Sequence, residues 1–128
     1  KSSIIKHIKE EAAYLLSKCK HHEYTKFRHI SFIVQNDEII AYGWNHKCDD
    51  SPPLYPRGTI HAEYHAFKRA KRLRRNTSWY CVNVRFNAHY ELRLSAPCGA
   101  CMKFLSAVGC SGVIYSDQPN TFATIHME

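Results

Sequence analysis

No run of residues in this chain is long and apolar enough to cross a bilayer, so no membrane helix is expected. There are no internal repeats and no low-complexity tracts, so a solenoid and a compositionally disordered chain are both set aside. The charges spread through Lys1 to Lys20 leave no secretory signal there. Proline and glycine are sparse, five of each, and three of the prolines crowd into residues 52–56 as loop breakers. Cysteine is less scarce, at six. Without a secretory signal, and with two cysteines in a Cys-x-x-Cys, these read as thiols of a reducing compartment and not as a disulfide framework. Cys19, Cys48, Cys81 and Cys110 are then free thiols, and a cytoplasmic location is expected.

What is present suits a globular protein. The chain has 128 residues, 45% hydrophobic and 23% charged, enough for one compact domain spanning 1–128 with its own core. The formal net charge of +7 favours anionic partners, although a solvated basic surface accounts for it equally well.

Periodicity predicts the elements. Ile4, Ile5, Ile8, Ala12, Leu15 and Leu16 recur at helical spacing, so a helix is expected over 3–19, with Ser2 or Ser3 as its cap. Strands are expected over 29–35 and 39–44, joined at Asn36-Asp37-Glu38 as a hairpin. A loop follows over 45–59, then a helix over 60–75 with Ala62, Ala66, Phe67, Ala70 and Leu73 as its core stripe. A strand is expected over 79–86, a helix over 98–108 closed by Gly109, and two strands over 112–116 and 121–127. The last two are separated by a short turn, which suggests antiparallel pairing. Helices interleaved with strands predict an α/β protein, with helices packed on the faces of one sheet.

Two segments carry chemistry, His61-Ala62-Glu63 and Pro97-Cys98-Gly99-Ala100-Cys101, and each falls at a predicted helix start. Cys98 and Cys101 are three residues apart in a first helical turn, so they project to one side. A helix N-terminus carries partial positive charge, which favours thiolate, the metal-binding form. His61 supplies a third ligand from a neighbouring helix start. Three protein ligands leave one tetrahedral position open, the catalytic arrangement for Zn2+, and mixed nitrogen and sulfur donors suit that metal. Glu63 beside the site has the chemistry of a proton carrier. A structural zinc site needs a fourth protein ligand, which nine histidines and four more cysteines could offer, but the lack of a second Cys-x-x-Cys weighs against that reading. A thioredoxin-like redox pair follows an early strand, whereas this pair lies late in the chain. A His-x-Glu followed by Pro-Cys-x-x-Cys is the signature of zinc deaminases.

On these residues the chain resembles the cytidine deaminase superfamily, close to the CMP/dCMP-type deaminases of phages and large DNA viruses. Ala41-Tyr42-Gly43-Trp44-Asn45, Arg93-Leu94-Ser95-Ala96-Pro97-Cys98 and Val113-Ile114-Tyr115-Ser116-Asp117 are similar to further landmarks of that family. The resemblance implies a three-layer α-β-α sandwich with a five-stranded mixed sheet, and deamination of cytosine to uracil. It implies that His61, Cys98 and Cys101 bind zinc and that Glu63 shuttles protons to N3 and to the leaving amine. It also implies that Asn45 bonds the sugar or base, that the Ala62 N–H holds the pyrimidine carbonyl, and that the Ala96 carbonyl accepts from the exocyclic amine. An antiparallel final strand is similar to the free-nucleoside deaminases and departs from many nucleotide and polynucleotide deaminases, which place a helix there.

The substrate stays open between two classes. A free nucleotide or nucleoside, with dCMP or CMP foremost, needs a basic group for its phosphate, and Arg57 is the candidate. Cytosine in single-stranded DNA or RNA needs a positive groove with aromatic platforms. The run Lys68, Arg69, Lys71, Arg72, Arg74 and Arg75 offers charge for that, as does the loop bearing His46, Lys47 and Tyr55. The non-enzymatic reading, a zinc-stabilised interaction domain, has no use for Glu63. Relatives of this kind range from monomers to hexamers, so a homo-oligomer is compatible with all three.

Overall fold

A computed structural model describes residues 2–18, 29–47, 59–87, 91–118 and 121–127. Helix α1 (Ser2–Lys18) forms on its apolar stripe, burying Ile8 and Ala12 completely, with Ile4, Ile5 and Leu15 packed around them. The first expected hairpin is present as β1 (His29–Gln35) and β2 (Glu38–Trp44). Its two-residue turn places Asn36 at φ 56° and Asp37 at φ 61°, the left-handed region that Asn and Asp tolerate and that hairpin twist favours.

The ends of the following loop, 48–58 of which lies outside the described residues, are themselves paired. β3 (His46–Lys47) runs antiparallel to β4 (Thr59–Ile60). Sequence periodicity cannot show two-residue strands. Their effect is to deliver the chain directly into His61 and helix α2 (Ala62–Arg69).

Helix α2 is shorter than its sequence pattern predicts, ending at Arg69 and not near Arg75. Two causes act together. Continuing the helix would stack Lys68, Arg69, Lys71, Arg72, Arg74 and Arg75 at spacings where like charges repel. The buried side chain of Gln35, from β1, then captures the turn. Its Nε2 donates to the Arg74 carbonyl at 2.7 Å and to Thr77 Oγ1 at 2.8 Å, and its Oε1 accepts from the Arg74 N–H at 3.1 Å.

After β5 (Tyr80–Arg85) comes α3 (Gly99–Ala107), capped by Cys98. Its C-terminus closes as a Schellman motif. Gly109, at φ 91°, donates to the Ser106 carbonyl, and Cys110 donates to that of Leu105. The chain finishes with β6 (Gly112–Gln118) and β7 (Thr121–His126), which pair antiparallel as expected.

The main sheet has five strands in the order β2-β1-β5-β6-β7 and is mixed: β5 and β6 are parallel, all other pairs antiparallel. Strand alternation sends Ile30, Phe32, Val34, Val82, Val84 and Ile114 to one face, under α1. It sends Ile33, Trp79, Cys81 and Val113 to the other, under Ala66 and Ala70 of the α2 region and Leu105 of α3. The expected three-layer α-β-α sandwich is therefore the fold observed. Among the described residues, no helix is long and apolar enough to cross a membrane.

Candidate active site

His61 and Cys98 occupy equivalent places, each the N-cap of its helix with extended backbone angles (φ −78°, ψ 153° and φ −72°, ψ 169°). Neither side chain caps its own helix, so both are turned to other work. They meet. His61 Nδ1 lies 3.6 Å from Cys98 Sγ and 3.4 Å from Cys101 Sγ, and the three ligand atoms all fall within 4.8 Å of one another. The two helices are held in this relation by Tyr64 and Phe67 of α2, whose rings pack on Phe104 of α3 at 5.1 and 5.4 Å. Cys101 is buried, His61 half-buried and Cys98 exposed, so the group opens to solvent on the Cys98 side. Two thiols at a helix start and one imidazole are the donor set of a zinc ion, and their spacing fits one. Among the described residues no fourth histidine, cysteine or carboxylate joins the cluster.

Glu63 stands in the first turn of α2 and is only 2% exposed. A carboxylate so deeply buried needs partners. Asn83 of β5 supplies one: its Nδ2 donates to Glu63 Oε2 at 2.8 Å and to the Ser95 carbonyl at 3.1 Å. Asn83 Oδ1 in turn accepts from Ser31 Oγ at 2.6 Å, across a strand pair in which Ser31 faces Asn83 in register. Ser95 extends the network. Its Oγ accepts from the Ser116 N–H at 2.8 Å and donates to Ser116 Oγ at 2.7 Å, lying also 3.0 Å from the Asn83 carbonyl oxygen. Ser116 Oγ donates to the Arg93 carbonyl at 2.6 Å. These buried polar residues fasten the irregular segment before Cys98 to β5 and β6, strands inside the sheet.

His29 opens β1 on the same face as Ser31. Its Nε2 is buried and has no partner among the described residues. Burial pushes its imidazole below the ordinary histidine value; the Glu63 carboxylate opposes this, while Arg85 and His61 add to it. His29 thus sits within the electrostatic reach of Glu63 and His61.

Asn45, at the end of β2, sends Oδ1 to the Ala62 N–H at 2.6 Å. The Ala62 N–H, expected to face a pyrimidine carbonyl, is thus engaged by Asn45 at the first turn of α2. Ala96 is exposed, next to buried Ser95 and two residues before Cys98. Arg57 lies outside the described residues, as does Tyr55. The basic run from Lys68 to Arg75 is exposed but sits at and beyond the C-terminal end of α2, the opposite end from His61.

Sequence reasoning missed Asn83, Ser31 and His29, and it placed Ser95 and Ser116 in family-like runs without giving them a role. One signal was available: an Asn inside the otherwise apolar run Cys81-Val82-Asn83-Val84, where alternation sends it to the face away from Val82 and Val84.

The chain matches the family model for the cytidine and deoxycytidylate deaminase zinc-binding region over residues 4–117. No curated relative matches it in sequence. Among solved structures it resembles the dCMP deaminase of cyanophage S-TIM5. Against the apo form the TM-score is 0.55 at 19% identity, covering 89% of this chain and 86% of that one. Against the form in complex with dCMP and dUMP it is 0.58 at 20% identity, covering 90% and 82%. Those likenesses bear on the fold, which they share. The family match spans both helix starts, and with them the metal-fitting cluster and the buried Glu63: the chain belongs to the cytidine and deoxycytidylate deaminases.

Proposed function

We propose that this enzyme hydrolyses the C4 amine of cytosine on a free nucleotide or nucleoside, dCMP or CMP foremost, yielding the uracil compound and ammonia. The observation that carries the reading is the convergence of His61, Cys98 and Cys101 from two helix starts, with Glu63 buried beside them. Zinc, when bound by those three residues, supplies the Lewis acidity that makes water a competent nucleophile near neutral pH. The rest falls to the chain's own groups. Glu63 takes one proton from the attacking water and delivers it to N3, then takes the second proton of that water from the hydroxyl added at C4 and passes it to the departing amine, so that water and cytosine become uracil and ammonia. The Ala96 carbonyl, exposed at the mouth, accepts from the exocyclic amine, and Asn45 with the Ala62 N–H it engages borders the base or sugar. Arg57, four residues before His61 in sequence, is the candidate for the phosphate.

Two observations favour a free monomer over a polynucleotide. The exposed basic run is at the far end of α2 from His61, so its charges do not line the mouth of the site. The structurally similar phage enzyme is a dCMP deaminase solved with dCMP and dUMP.

The test compares zinc-loaded protein with Glu63→Ala on dCMP, CMP, cytidine and a cytosine-containing single-stranded DNA, reading uracil products. Turnover of the monomers, lost by about a hundredfold or more in the variant, is expected, since general acid–base catalysis alone contributes roughly 10²–10⁴-fold. Turnover of the DNA alone would transfer the assignment to polynucleotides. Undiminished activity in Glu63→Ala would remove that residue from the mechanism.

A further inference from the structure

We propose that Asn83 is a positioning residue of this deaminase: its side-chain amide sets the orientation of the Glu63 carboxylate and ties it to the segment that leads into Cys98. The inference rests on the reading above, that Glu63 carries the protons.

Asn83 is fully buried, and the four heavy-atom contacts of its amide are all accounted for. Nδ2 donates both its hydrogens, one to Glu63 Oε2 at 2.8 Å and one to the Ser95 carbonyl at 3.1 Å. Oδ1 accepts from Ser31 Oγ at 2.6 Å and from Cys81 Sγ at 3.4 Å. The orientation of the amide is forced. Glu63 and the Ser95 carbonyl are acceptors, so a flipped amide would set oxygen against oxygen on that side. Ser31, directly opposite in the strand register, donates its hydroxyl hydrogen to Oδ1, and this bond helps to hold the amide in place.

Nothing in the packing of β5 demands an amide here. The strand lies between two helical layers, and its neighbours Cys81, Val82 and Val84 are buried and apolar. What does demand it is a carboxylate held out of water on the adjacent helix. With Oε2 anchored, rotation of the Glu63 carboxylate is restrained, and its other oxygen is the one left for the substrate proton. The second Nδ2 hydrogen bond gives the arrangement its reach. Ser95 precedes Ala96 and is three residues from Cys98, so a single amide couples the proton carrier to the exposed acceptor and to a metal ligand. Catalytic groups must be held to about 0.5 Å of their productive geometry, and such a link supplies that restraint.

The experiment uses zinc-loaded full chain and two variants. Asn83→Leu keeps the branched shape of the side chain but removes both donors. Ser31→Ala removes the hydroxyl that helps to hold the amide and touches neither Glu63 nor the ligands. Steady-state kinetics on dCMP are read alongside zinc per chain and the cooperativity of melting. For Asn83→Leu we expect kcat to fall roughly 30- to 300-fold, in line with the cost of about 1 Å of misplacement, with KM within about threefold. Ser31→Ala is expected to lose kcat by a smaller factor, about three- to tenfold, in the same pattern. Zinc content is expected to stay at the wild-type level in both. Asn83→Leu retaining kcat within about threefold would overturn the proposal. So would an equal rise in KM, or activity lost only together with zinc, since either marks a purely structural role. Should Asn83→Leu fail to fold, an unchanged kcat in Ser31→Ala overturns it. A wild-type protein that turns over no substrate at all overturns the functional reading instead, before any variant is compared.

Discussion

Cysteine chemistry in this protein is decided residue by residue, by burial. Cys98 and Cys101 converge on His61, whereas Cys81 and Cys110 are enclosed beneath α2 and α3. Burial pushes the Cys110 thiol up from 9.0 to about 11, and it donates to the Gly112 carbonyl at 3.1 Å. Burial, reinforced by the Glu63 charge, raises Cys81 well above the same value. Both therefore stay protonated and unreactive at neutral pH, as the free thiols expected from sequence. A raised pKa means that the folded state holds its proton more tightly than the unfolded one. The resulting stability is complete below pH 9.0 and is lost as pH rises through about 11. Cys110→Val should accordingly melt with a shallower alkaline decline than wild type over that interval. Parallel melting curves would show that the thiol is not held neutral. The metal-fitting residues were legible at this scale because Cys-x-x-Cys and His-x-Glu are local spacings. Asn83 was not, because its partners stand 20 residues away at Glu63 and 52 at Ser31.

At the scale of elements, α2 is the piece on which the site depends, and what seats it is a glycine in β2. A Cβ on Gly43 would collide with the Ala66 backbone nitrogen and lie 2.8 Å from the His65 carbonyl carbon and 2.9 Å from the Ala62 oxygen. Only a residue without a side chain lets the helix backbone approach the strand this closely. Trp44, next in the strand, donates its N–H to His65 Nδ1 at 3.2 Å, and Asn45 then engages the helix start. Gly43→Ala should push α2 off the sheet, destabilising the fold by about 1–3 kcal/mol or more and displacing His61 from the cysteines. Lower melting temperature together with reduced zinc retention is the expected result; a variant that keeps both would mean the helix shifts without cost. The existence of α2 was readable from its apolar stripe. Its end was not, because the Gln35 side chain that captures Arg74 comes from 39 residues upstream.

For the whole molecule, the metal-fitting cluster is a bridge. It joins the starts of α2 and α3, two elements that otherwise meet through rings such as Tyr64 and Phe104 on one side of the sheet. A ligand bound only by the folded state stabilises it by mass action, about 2.7 kcal/mol at a hundredfold excess over Kd. Stripping the metal with a chelator should lower the melting temperature by roughly 10 °C for a chain of this size. His61→Ala, which removes one ligand, should abolish most of that difference between loaded and stripped protein. An equal shift in His61→Ala and wild type would locate the stabilising metal elsewhere.

Much was settled by sequence alone, because it rests on short-range chemistry. Apolar residues at periods of 3.6 and 2 specify which segments become helix or strand, and a three-residue spacing puts two thiols on one helical turn. The antiparallel final strand followed from a turn too short for any crossover. Tertiary structure decided the rest, because it concerns which distant groups find each other once water is excluded. Gln35 ends a helix, Gly43 admits one, and β3 with β4 delivers the chain to His61. Asn83 meets Glu63 because β5 pairs with β1, on which α2 packs, and a buried carboxylate must find a donor among whatever the fold brings to it.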